Sequence, residues 1–253
     1  MIAERHETLP PVRDTALRVD HVGIVVRDLA AEVAAWRARG FAVSEPVPLM
    51  GSDASGRPVP LGQSSAHVVF ANGYVELSSP HPGANNHLEP YLARGEGVRI
   101  LVLATADADA ARARLAVRRA VSPVMAAARA VVVEGTARMA GFRWFPLPFD
   151  IVPGVLSAVV EHLTPEIVFH PSLARHPNGL TRMSRLVATG DPSGFVTPPG
   201  EDGASQAPLL SLAAAEGELQ IDGLVFEGPN GRERTFQVMA RPGGNNKHMN
   251  DVE

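Results

Sequence analysis

The stretch Asp20-His21-Val22-Gly23-Ile24-Val25-Val26-Arg27-Asp28-Leu29 decides the fold. The apolar run after His21 is rich in β-branched residues and predicts a buried strand. Asp28 stands where a side-chain oxygen can accept from the free N–H groups of a first helical turn. Leu29, Val33 and Trp36 then fall at i, i+4 and i+7 on one helical face, and Gly40 closes that helix as a left-handed residue. A strand therefore runs into a helix. His21 is the polar exception within it, and the functional reading turns on what His21 faces.

Outward from this stretch, Phe41-Ala42-Val43 predicts a second strand, and the prolines and glycines of residues 46–62 predict a long loop. Residues 66–70 predict a third strand. Asn72-Gly73 is a hairpin turn into a fourth, Tyr74-Val75-Glu76-Leu77. The order is β-α-β-β-β, and it recurs. Residues 98–104 are apolar, and Asp107 can cap a helix over 108–119. Residues 121–140 read either as strand at Val131-Val132-Val133 or as helix at 126–130. Residues 142–149 and 155–163 then read as strands around Pro153-Gly154. Val75-Glu76 in the first half aligns with Val160-Glu161 in the second, and Asp28 aligns with Asp107, so the chain reads as a duplicated module.

A third apolar run at 183–189 precedes a loop over 190–209. A short helix at 209–215 follows, then a hairpin of 219–226 with 234–239. The expected organisation is a flexible arm (1–16), a first module (17–97), a second module (98–179), a C-terminal extension or partial third module (180–240) and a flexible tail (241–253).

The chain has 253 residues, 45% hydrophobic and 20% charged, enough to bury a core without staples. It has no cysteine, which excludes disulfides, thiolate ligands and a cysteine nucleophile. A net charge of −4 gives no electrostatic reason to bind nucleic acid. No apolar run approaches the ~20 residues that span a bilayer. Residues 1–16 lack the apolar core of a signal peptide. A soluble cytoplasmic protein is the expectation.

Asp20-His21-Val22-Gly23-Ile24-Val25-Val26 with Asp28-Leu29, Tyr74-Val75-Glu76-Leu77, and Glu161-His162-Leu163-Thr164-Pro165-Glu166 with His176-Pro177-Asn178-Gly179 resemble the vicinal oxygen chelate superfamily. Within it they resemble the glyoxalase-like domain proteins. The resemblance implies an α+β fold of two βαβββ modules that form a cup-shaped mixed sheet, here with a C-terminal β extension. It also implies one divalent metal ion (Mn, Fe(II), Zn, Co or Ni) in the cup, held by side chains from first and fourth strands. His21 maps onto the first-strand ligand position, with Glu76 and Glu161 as the carboxylates. The second module offers only Arg99 or Ile100 where a fourth ligand is due, so the resemblance implies a three-ligand site of His21, Glu76 and Glu161 completed by water or substrate, with a decayed site or a further histidine, His162 or His176, as the alternatives.

The residues themselves keep plainer readings open. Glu76 and Glu161 lie among apolar neighbours, where a buried carboxylate needs a metal, a cation or a proton; both can equally be surface groups on amphipathic strands. Glu161 is also a candidate for proton transfer. His162 follows Glu161 and so points to the opposite strand face. His176, in His-Pro-Asn-Gly, is a candidate at the cup mouth. Arg99 is a candidate substrate cation, and Trp144 and Phe149 are a candidate apolar wall.

The expected function is a metal-dependent lyase or isomerase acting on a small oxygenated molecule through an oxyanion or enolate. The alternatives are an extradiol-type ring-cleaving dioxygenase and a non-catalytic small-molecule binding or sequestration protein. The expected partner is a small-molecule substrate, with no nucleic acid and no membrane. A homodimer is left open.

Overall fold

A computed structural model describes residues 17–52, 55, 57–84, 86–117, 120–150, 152–190, 209–213, 218–238 and 251–252. The expected arm, most of the 190–209 loop and nearly all of the tail lie outside the described residues. The first module comprises β1 (Arg18–Val25), α1 (Leu29–Ala38), β2 (Val47–Ser52), β3 (Pro58–Phe70) and β4 (Gly73–Pro80). A short helix, α2 (Glu89–Leu92), leads to the second, β5 (Gly97–Ala104), α3 (Ala108–Ala116), β6 (Met125–Val133), β7 (Thr136–Pro146) and β8 (Leu156–His162). Then come α4 (Pro165–Val168), β9 (Arg182–Thr189), β10 (Leu209–Ala213), β11 (Gln220–Glu227), β12 (Glu233–Gln237) and β13 (Asp251–Val252).

Both modules start alike for the same local reason. The Asp28 side chain accepts from the Ala31 N–H, and that of Asp107 accepts from Ala110, so each strand hands over to a capped helix. Gly40 follows α1 at φ +79°, a conformation open to glycine and strained for residues with a Cβ.

The strands form one mixed sheet. Its main path runs β10-β9-β11-β5-β1-β4-β3-β2, and β8 extends the other side of β5 and carries β7 and β6. β1 and β5 lie antiparallel at the centre, with Val22 opposite Leu101. Each has its own module's last strand alongside in parallel, β4 on β1 and β8 on β5. The two modules therefore curl into a cup about a pseudo-twofold between β1 and β5.

One sheet face carries the helices. Val22, Ile24, Leu101, Leu103 and Val159 pack there against Trp36, Ala111 and Leu115. Trp36 is fully buried, and its indole N–H donates to Glu32 at 2.9 Å, so the ring is buried without an orphaned donor. The other face is the inside of the cup, with Val25, Ile100, Val102, Ala158 and Val160 forming its apolar floor.

Several expectations need correction. Residues 41–43 form no strand: Phe41 leaves α1 to pack on Phe226 and Phe236, and pairing begins at Val47. Residues 46–62 are not one long loop but hold β2 and the start of β3. Their prolines are tolerated because β2 ends the sheet path and its pairing slips between Pro48 and Met50. Residues 126–130 are strand, tied to β7 through Arg129 opposite Ala140. Residues 209–213 are strand rather than helix, parallel to β9. In the last three cases strand pairing overrides local propensity.

Candidate active site in the cup

The pairing of β1 with β5 slips between Val19 and His21, leaving Asp20 as an extra residue. Such a bulge breaks the alternation of side chains. Asp20 and His21 consequently both turn inward, while Val19 and Val22 join the helix-face core. Asp20 is 4% and His21 6% exposed, so both must be satisfied within the protein.

The Asp20 carboxylate holds two imidazoles. One oxygen lies 2.6 Å from Nδ1 of His21, and the other lies 3.0 Å from Nε2 of His162. Burial alone would raise the Asp20 pKa. The charge and hydrogen bond of His162, then those of His21, outweigh it and hold the carboxyl well below the usual carboxylate range. An ionised carboxylate only accepts, so both facing ring nitrogens donate. Nε2 of His21 is then left pointing into the cup.

Around that nitrogen stand two further groups. The Tyr74 hydroxyl donates to it at 3.3 Å, with the two rings stacked at 4.0 Å. Burial, then the nearby Asp20 charge, raises the Tyr74 pKa and keeps the phenol protonated. Oε2 of Glu76 lies 3.7 Å from the same nitrogen. The other Glu76 oxygen accepts from the hydroxyls of Ser65 and Ser78, each at 2.6 Å. Glu76 thus presents one anchored and one open oxygen.

His67, on β3, completes the cluster beside Tyr74. Burial, followed by the Arg129 charge, pushes its pKa well down, so it is neutral. Arg129, from β6, holds its guanidinium 5.3 Å from the Tyr74 ring centroid. Phe169 packs edge-on to His162 at 5.2 Å and helps close this end of the cup.

The structure brings His21 and Glu76 together but separates them from Glu161. The β8 register turns Ala158, Val160 and His162 inward and Glu161 to the helix face. There Glu161 accepts from the Ala108 N–H at 2.9 Å and from Arg143 at 3.4 Å, anchoring the start of α3. The alternation expected between Glu161 and His162 holds; it is His162 that faces the cup.

His176 is likewise elsewhere. It lies among Phe41 and Phe70, its Nδ1 accepting from the Ala42 N–H at 3.0 Å and its Nε2 donating to the Val69 carbonyl at 3.0 Å. Both nitrogens are spent on the backbone, and burial pushes its pKa down to about 4. Arg99 is the skipped residue of a second bulge, and its guanidinium donates to the carbonyls of Gly95 and Arg94. Trp144 packs on the apolar floor of the cup. Phe149 is 49% exposed, beside Tyr91 and Arg94 outside that floor.

The pseudo-twofold tests the implied metal. Val22 and Leu101 are equivalent, each six residues before its capping aspartate, which makes Ile100 the counterpart of His21. Glu76 pairs beside Gly23, and Ala158 beside Val102, so the counterpart of Glu76 is Ala158 rather than Glu161. Both second-half ligand positions are apolar. Ile100 also occupies the space over Gly23, where a Cβ would meet it at 2.6 Å. Among the described residues no three histidine or carboxylate groups converge to hold a metal ion. His21 and Glu76 are half of a ligand set, and the residues present do not fit the expected three-ligand centre. His162 cannot complete it while turned onto Asp20, so the two-histidine, one-carboxylate set of a ring-cleaving dioxygenase is not assembled either.

Sequence reasoning gave no role to Asp20, Tyr74 or Arg129, and for His67, on the third strand, it left open which face the ring lines. Asp20-His21, adjacent charges at the head of an apolar run, was the available signal.

A paired-module cup with polar groups on its inner face is the architecture of the vicinal oxygen chelate superfamily. The family model described as the glyoxalase-like domain matches residues 19–198, and the chain belongs to that family. Among solved structures, a hypothetical protein from Staphylococcus aureus is similar in fold, at 9% identity and TM-score 0.50 over 68% of this chain and 69% of that one. A methylmalonyl-CoA epimerase in complex with methylmalonyl-CoA matches at 25% identity and TM-score 0.41, over 62% of this chain and 100% of its own. The Streptomyces coelicolor methylmalonyl-CoA epimerase matches at 26% identity and TM-score 0.40, over 59% and 99%. No curated protein matches in sequence. Among the described residues no helix is long and apolar enough to cross a membrane.

Proposed function

We propose that this protein is an isomerase or lyase that moves a proton at a carbon next to a carbonyl group in a small oxygenated molecule. The reading rests on one observation: Nε2 of His21, oriented by Asp20, faces the open oxygen of Glu76 at 3.7 Å. Two acid–base groups side by side at one point can remove a proton from a carbon and return it to that carbon or to its neighbour. Asp20 holds the His21 ring in the tautomer whose Nε2 is free to act as base. The protonated Tyr74 hydroxyl is placed to donate to the oxyanion that forms on proton removal. Trp144, Ile100 and Val102 give the apolar wall against which a small carbon skeleton can lie.

A bound divalent ion would supply Lewis-acid stabilisation of the same oxyanion. Ile100 and Ala158 stand where its remaining ligands are due, so the proton transfer falls to His21, Glu76 and Tyr74. The test is deuterium uptake in D2O, read by proton NMR on a panel of small carbonyl compounds with acidic neighbouring C–H bonds. The wild-type protein should accelerate uptake into at least one, and His21→Ala should abolish it. Binding without uptake would favour the sequestration reading.

A further inference from the structure

β6 alternates exposed Ala128, Ala130 and Val132 with inward-facing Ala127, Val131 and Val133. Arg129 interrupts that inner, apolar register with a half-buried guanidinium. Three other arginines of these strands and their connections have partners. Arg99 donates to backbone carbonyls, Arg143 pairs with Asp109 and Glu161, and Arg94 pairs with Glu218. Among the described residues no carboxylate pairs with Arg129; its neighbours are the ring of Tyr74 and the neutral His67. The cluster's own acids are turned to other partners, Asp20 to two imidazoles and Glu76, through one oxygen, to two hydroxyls. A partly desolvated cation without a counter-ion is costly, and an arriving anion offsets that cost.

We infer that the substrate of this cup is a carboxylic acid, its carboxylate seated on Arg129. A guanidinium presents paired N–H groups that match the two oxygens of a carboxylate. One tyrosine ring links the anchor to the base: the guanidinium lies 5.3 Å from the Tyr74 centroid, and the His21 ring stacks on it at 4.0 Å. The acid we infer is a short oxo acid, with its carboxylate on Arg129 and the carbon beside its carbonyl toward His21 and Glu76.

The inference rests on the proton-transfer reading, and its test separates the two. Binding of pyruvate and of 2-oxobutyrate is compared with that of pyruvamide, which lacks the charge, by ligand-observed NMR on the full chain. Wild-type protein should bind both oxo acids at least about tenfold more tightly than the amide. Arg129→Gln should lose that preference, Arg129→Lys should recover part of it, and His21→Ala should keep it while losing deuterium uptake. Equal binding of acid and amide by the wild type, undiminished acid binding by folded Arg129→Gln, or no binding of either oxo acid would overturn the inference. Absence of deuterium uptake in the wild-type protein, with the preference intact, would count against the proton-transfer reading alone.

Discussion

Asp20 lies 2.6 Å from Nδ1 of His21, its neighbour in the chain, because a bulge in β1 turns both side chains to the same side of the sheet. On a regular strand the two would point apart, and the imidazole would have no fixed orientation. The bulge makes a strand histidine into an oriented one, with its second nitrogen offered to Glu76 and Tyr74.

Replacing Asp20 by asparagine preserves shape but alters the proton inventory. An amide accepts on one side and donates on the other, so one of the two imidazoles facing it must change tautomer. Asp20→Asn should lower proton-transfer rates on the order of a thousandfold or more, by analogy with other carboxylate-oriented histidines. Circular dichroism should be unchanged. Rates within a few-fold of wild type in a folded variant would show that Asp20 does not orient the base.

The pseudo-twofold makes a constructive prediction. Wild-type protein titrated with Mn, Co, Ni or Zn ions should show no tight one-to-one site by calorimetry. Ile100→His with Ala158→Glu places donors at the counterparts of His21 and Glu76, and this double variant should gain one. Tight stoichiometric binding by the wild type, lost in His21→Ala and in Glu76→Ala, would instead restore the three-ligand expectation with an unrecognised third donor.

Glu161 is tied to the first turn of α3. Glu161→Gln weakens its interactions with the Ala108 N–H and with Arg143. A loss of about 0.5–2 kcal/mol in unfolding free energy is expected, with proton transfer unaffected. Chemical denaturation and the exchange assay read the two separately, and a selective loss of activity would return Glu161 to the site.

His176 sets a pH dependence of stability. Its folded pKa is about 4 against an ordinary 6.5, because burial disfavours the charged ring and the bond to the Val69 carbonyl only partly offsets this. Between those values the unfolded chain binds a proton that the native state does not, so stability falls as pH drops from about 6.5 toward about 4. Asp20 adds a loss of the same sign lower down: its native pKa is depressed, so its contribution is full above 3.8 and fades as pH falls below that value. Urea midpoints at pH 7 and pH 4.5 should differ in the wild type and differ less in His176→Gln. The same shift in both would show that His176 is not the source.

Much of the architecture could be read directly. The capping aspartates at 28 and 107, the Asn72-Gly73 turn and the apolar runs mark both modules, since each is a short-range signal with its own physical cause. His21 and Glu76 were legible as a pair because they sit on adjacent parallel strands within one module. What failed depends on register. Aligning Val75-Glu76 with Val160-Glu161 was reasonable by composition, but β8 pairs with β5 so that Ala158 takes the position of Glu76. A shift of three residues also exchanges the two faces of a strand, which moved Glu161 out of the cup and His162 into it. The Asp20 bulge was illegible for a related reason: it is set by the partner strand β5, far along the chain. Arg129 escaped notice because residues 121–140 read as helix or strand with equal ease, and only the pairing with β7 turns it inward.

The central claim is that Asp20 holds His21 with Nδ1 protonated and Nε2 free. Long-range proton–nitrogen correlation NMR of the uniformly labelled protein at neutral pH, with His21 assigned by its absence in His21→Ala, tests it directly. The expected spectrum has a protonated Nδ1 and an unprotonated Nε2 for His21, a pattern lost in Asp20→Asn. A His21 ring protonated at Nε2 with Nδ1 bare would contradict the account, because the nitrogen facing the cup would then have no lone pair with which to take a proton.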